Sequence, residues 1–167
     1  MQTIDLKLQP LTRKAFAPFG DVLEVSADNQ IIPINHGMAE RHHDLTQVDV
    51  TANGGKAIIS IFRAQAAQLP FRVEMMERHS LGSQAFMVLT GNPYLVVVAP
   101  AGEFSVAKLR AFIAMAHQGV NYHKGTWHHY CLGLNAGNDF LVVDRGGEGD
   151  NCDEVNIPSD ICIIVNH

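Results

Sequence analysis

The chain has 167 residues, 47% apolar and 17% charged, with a formal net charge of −5. That length suits one domain burying about 70% of its unfolded surface, and the composition is not that of a disordered tail. The acidic balance and the lack of any basic run beyond two residues argue against nucleic acid, and no apolar run approaches the ~20 residues of a membrane helix.

In chain order, the amino terminus (MQTIDLK) has no apolar leader. A short helix is expected over 12–19, capped by Thr12 and stopped by Pro18. Apolar runs rich in Val and Ile at 56–63, 85–89, 94–99 and 139–144 read as strands. Gly91-Asn92-Pro93 between two of them reads as a turn. Residues 105–116 fit helical spacing through Val106, Leu109 and Ile113, and strand alternation through Leu109, Ala111 and Ile113. A helical turn leading into a strand near Leu109 reconciles the two. Residues 146–151 read as a surface loop, and 157–165 as a last strand or an arm covering a sheet edge. Short strands with regular turn signals predict an all-β sandwich or barrel. Cys131, Cys152 and Cys162 are odd in number, lack CxxC spacing and read as reduced thiols, which predicts a cytoplasmic protein.

Two clusters carry the chemistry. Glu77 and His79 are two apart, so a strand sends both side chains to one face while Arg78 points to the other. Gly82 permits a reversal that swings Gln84 back toward His79. Some forty residues on, His123 and His128 flank Gly125, with Trp127 between them. Imidazole, carboxylate and amide oxygen make a mixed set suited to a first-row divalent metal. His36, His42 and His43 have no metal-ligand spacing and read as surface or interface.

The spacings His79-x4-Gln84-x6-Gly91 and Gly125-x2-His128 resemble the two motifs of the cupin superfamily. That resemblance implies a double-stranded β-helix barrel with a few short helices, here one domain over 1–167 whose first ~55 residues elaborate the core. The chain departs from the usual His-x-His-x4-Glu by placing Glu77 first and Gln84 third, which keeps one negative charge in the set.

A narrower likeness covers almost the whole chain. INHGMAERHHDL (34–45), IFRAQ (61–65), ERHSLGSQAF (77–86), LRAF (109–112), QGVNYH (118–123), WHH (127–129), DRGG (144–147) and DNC (150–152) resemble the ureidoglycolate lyase family of allantoin degradation. The resemblance implies cleavage of ureidoglycolate to glyoxylate and urea, a homodimer, and a divalent ion, nickel or similar. On that reading Glu77, His79, Gln84 and His128 surround the metal, and His123 moves protons along with Glu77. Arg63 or Arg145 clamps the substrate carboxylate, and Trp127 walls off water. Alternation does not decide which arginine faces inward. The rival readings are an amidohydrolase releasing ammonia and a non-catalytic binder of small carboxylic acids.

Overall fold

The computed structural model describes residues 2–167. The chain begins with β1 (Gln2–Pro10), α1 (Arg13–Phe16), β2 (Gly20–Leu23), β3 (Gln30–Ile34), β4 (Ala39–His43) and β5 (Lys56–Ala64). Then come β6 (Ala66–Ala67), β7 (Phe71–Val73), β8 (Met75–Arg78), β9 (Gln84–Val88), β10 (Tyr94–Ala99) and β11 (Arg110–Ala114). The last are β12 (Gly119–Tyr122), β13 (Trp127–His128), β14 (Leu132–Leu134), β15 (Asn138–Gly146), β16 (Asp153–Asn156) and β17 (Ile161–Asn166). The protein is all-β, as the run of short strands predicts.

A ten-stranded sheet runs β16-β8-β13-β10-β11-β1-β17-β7, with β14 and β6 attached through β10. It faces a five-stranded sheet ordered β2-β12-β9-β15-β5, and β3 and β4 pair only with each other. Strand β10 explains why its sequence is apolar without alternation: all six residues are buried, because both of its faces are covered. Tyr94, Val96 and Val98 enter a core between the two sheets, with Phe86, Phe112, Phe140 and Val142. Leu95, Val97 and Ala99 enter a second core with Leu109, Trp127, Ile163 and Val165, enclosed as the large sheet curls.

The early helix is shorter than expected. Thr12 caps it, its hydroxyl accepting from the Ala15 N–H at 3.2 Å, but the last turn closes where the Phe19 N–H meets the Phe16 carbonyl, since Pro18 offers no N–H. A 3-10 turn over Val106–Lys108 followed by β11 resolves the ambiguous segment as expected. The carboxyl-terminal stretch forms β17, which pairs with β1 in parallel and β7 antiparallel.

What positions the site is strand parity. Along β15, Phe140 and Val142 point into the inter-sheet core, so Asp144 takes the next inward place. Gln84 likewise precedes inward Phe86 and Val88 on β9, and Tyr122 follows inward Val120 on β12. From the opposite sheet, His128 pairs with Val98 on one side and Glu77 on the other. Groups from both sheets therefore meet at one end of the core.

Candidate metal centre

Glu77, His79 and His128 each present a ligand atom within 4.8 Å of the others. A backbone bond ties the two sequence clusters together: the Gly125 N–H donates to the His79 carbonyl at 2.8 Å. Gly125 makes this approach in a turn at φ +81°, a conformation that favours glycine.

The imidazole of His128 is 2% exposed and stacks on the Tyr122 ring at 4.3 Å with an interplanar angle of 3°. Burial, with His79 beside it, lowers its pKa to about 3, so the ring is neutral at ordinary pH. Its Nδ1 faces only acceptors, the His129 carbonyl at 3.4 Å and Glu77 Oε1 at 3.7 Å. The single proton of the neutral ring therefore belongs on Nδ1. Nε2 is left as a bare lone pair, buried and without a hydrogen-bond partner.

His79 is held from behind by the Asn151 carbonyl, 2.7 Å from Nδ1, while the side chain of Asn151 accepts from the Leu81 N–H. Its Nε2 lies 3.1 Å from Gln84 Oε1. The ring centroids of His79 and His128 are 5.1 Å apart. Glu77 has a carboxyl pKa raised by burial, with His79 pulling it down and Glu154 pushing it up. Its Oε2 lies 4.0 Å from the Cys152 thiol, and Glu77, Cys152 and Glu154 form a second, more exposed group.

These donors fit a divalent ion. The orphaned Nε2 of His128 lacks the partner that a buried polar atom ordinarily has. His79 Nε2 faces another acceptor, and a carboxylate supplies charge. Two imidazoles, one carboxylate and one amide oxygen are the ligand types such ions take.

Four residues expected at this centre lie elsewhere. His123 points to Asp21, Nε2 to Oδ2 at 2.8 Å, and is half exposed. It lines a polar cavity of about 490 Å³ with Asp44, Thr46, Asp49 and Lys124. Arg63 is 82% exposed and forks onto Asp139 across the β5–β15 edge. Arg145 is buried, but its guanidinium is spent on the Ala52 and Glu148 carbonyls. Trp127 neighbours His128 in sequence, so strand alternation sends it to the opposite face. There it packs in the second core against Phe104, beneath the Arg78 guanidinium, and donates to the Gly102 carbonyl. In each of the four a local partner already satisfies the polar group.

Tyr122, Asn151 and Asp144 went unnoticed. Asp144 had a signal: an acid continuing the inward series Phe140, Val142 on an alternating strand.

Fold and site together define a small all-β barrel protein with a candidate centre of two imidazoles and a carboxylate at one end of its inter-sheet core. The chain belongs to the ureidoglycolate lyase family, whose model matches residues 3–164. It is 54% identical over 156 residues to the ureidoglycolate lyase of Burkholderia mallei (strain NCTC 10229), covering 93% of this chain and 91% of that one. The ureidoglycolate lyase of Pseudomonas entomophila (strain L48) is 52% identical over 162 residues, 96% of each chain. That of Pseudomonas aeruginosa (strain LESB58) is 53% identical over 150 residues, 89% of this chain and 88% of its own.

Proposed function

We propose that this chain is a carbon–nitrogen lyase that cleaves ureidoglycolate to glyoxylate and urea in purine nitrogen breakdown. The observation that carries this is the 54% identity to a ureidoglycolate lyase over 93% of the chain. Its barrel is a cupin double-stranded β-helix, with residues up to about 55 as the elaboration.

The substrate carbon bears a carboxylate, a hydroxyl and a urea nitrogen. Elimination moves the hydroxyl proton away as the carbonyl forms, while the carbon–nitrogen pair leaves with nitrogen, which takes up a proton. Glu77, His79, Gln84 and His128 would hold a divalent ion, nickel by family likeness. When bound, such an ion lowers the proton affinity of an adjacent oxygen. Glu77 accepts the hydroxyl proton through a carboxylate oxygen not given to the ion. The Asn151 carbonyl keeps the proton of His79 on Nδ1, so that Nε2 faces the site. Tyr122 and the surrounding core keep water from His128.

The chain works as a homodimer. Strand β5 is a nine-residue sheet edge, and its Ile59 and Ile61 are 73% and 65% exposed. A long apolar edge of that kind invites pairing, and a light-scattering mass of a single chain would refute the dimer. Cytoplasmic location accords with three free cysteines; among the described residues no helix is long and apolar enough to cross a membrane.

Incubating the purified chain with ureidoglycolate, with and without a chelator, tests activity and metal need together. Urea and glyoxylate should appear in equal amounts, and chelation should slow both. Ammonia without urea would indicate the amidohydrolase instead, and glyoxylate binding without turnover the binder.

A further inference from the structure

A glutamine helps hold a cation only when its oxygen, not its amino group, faces the ion. We propose that Asp144 is the positioning residue that fixes this choice. It holds the Gln84 carboxamide so that Oε1 and His79 Nε2 are presented together to a divalent ion. The inference rests on the cation reading above and names the residue on which that reading depends.

The hydrogen-bond inventory carries the argument. Gln84 Nε2 donates to Asp144 Oδ2 at 3.1 Å. The amide NH2 therefore belongs on the Asp144 side and the carbonyl oxygen on the His79 side. On His79, Nδ1 donates to the Asn151 carbonyl, and Nε2 lies beside Gln84 Oε1 at 3.1 Å. An amide oxygen and an imidazole nitrogen presented side by side call for a shared positive centre, a proton or a metal ion. Without Asp144 the amide is free to turn over. Its NH2 would then donate to His79 Nε2 and close the site with an ordinary neutral hydrogen bond.

Asp144 is poorly explained as a device for stability. Its Oδ1 is buried without a partner, and among the described residues it forms no ion pair. A buried polar atom without a partner is a cost to folding. Asp144 stands one step beyond the Val143–Ala85 pair of the β15–β9 ladder, beside Gln84.

The test is nickel titration of the purified chain by calorimetry. Asp144→Leu removes the acceptor at similar volume and should raise the dissociation constant by about 10–100-fold, the range for residues that orient metal ligands. Asp144→Ala serves the same comparison if leucine disturbs packing. The double variant Asp144→Asn with Gln84→Glu reverses the polarity: the new amide donates to one carboxylate oxygen and the other faces His79. It should return affinity close to wild type, which a merely structural role for Asp144 would not predict. Wild-type affinity in Asp144→Leu, or a double variant as weak as Asp144→Leu, would overturn the inference and leave the lyase reading intact. A wild type that binds no nickel overturns it together with the cation reading. Loss of the lyase reading alone would appear as the expected affinity pattern without urea production.

Discussion

His128 and His123 stand five residues apart, yet they belong to different regions with different physics. His128 projects into the inter-sheet core, is buried with a bare Nε2, and shares its space with groups from both sheets. His123 lies across the Gly125 turn at the rim, where Asp21 satisfies it and Lys124 beside it is satisfied by Asp49. At the rim each basic side chain has its own acid, so its polar groups are spoken for. In the core the donors outnumber their partners, and that surplus is what a ligand can use. The sharpest way to break the contrast is a pair of alanine variants. His128→Ala should lower urea production on the order of 10²-fold or more and weaken nickel binding. His123→Ala should leave both near wild type. Equal losses in the two variants would merge the regions and restore His123 to the reaction.

Acid titration sharpens the same comparison. The folded-state pKa of His128 is depressed to about 3 by burial, whereas the unfolded ring titrates near 6.5. Between those values the unfolded chain binds a proton that the folded, metal-free chain does not, so stability rises with pH there and is lost as pH falls. The slope is about 1.4 kcal/mol per pH unit for one such group. Urea denaturation at steps from pH 7 to pH 4 should therefore give a shallower acid limb in His128→Gln than in wild type. An unchanged limb would mean that the buried ring does not carry the penalty.

Much of the fold is legible in the sequence because burial leaves a pattern. Strands β5, β9, β10 and β15 fall where runs of Val and Ile meet turn residues, and Thr12 marks its helix by its own side chain. Strand β1 is absent from the expected elements although Ile4, Leu6 and Leu8 alternate along it, and its parallel pairing with β17 is a contact across nearly the whole chain that no local pattern contains. The site divides in the same way. His79, Gln84 and His128 carry their spacing, and Glu77 shares a face with His79. For Arg63, Arg145 and Trp127 residue type announces what a side chain can bind, not which neighbour it binds in the fold. The Ala52 carbonyl that occupies Arg145 lies 93 residues away in sequence.

The two arginines give the smallest effects and the cleanest contrast between a fold-holding and an idle charge. Arg145 donates from a buried position to the Ala52 and Glu148 carbonyls and packs under Gly55 and Gly82, where added Cβ atoms would lie 2.4 Å from its Nε and 2.8 Å from its Cβ. Arg145→Met leaves those carbonyls without their donor, and stability should fall by about 1–3 kcal/mol, a drop of roughly 2–4 °C in melting midpoint for each kcal/mol at this chain length. Arg63 forms a bidentate pair with Asp139, but both groups face water, where screening and side-chain entropy cancel most of the attraction. Arg63→Met should leave the melting midpoint unchanged, and the turnover of ureidoglycolate with it. A measurable rise in KM for Arg63→Met alone would return that guanidinium to the substrate, and would require a partner chain to bring the carboxylate to the β5 edge.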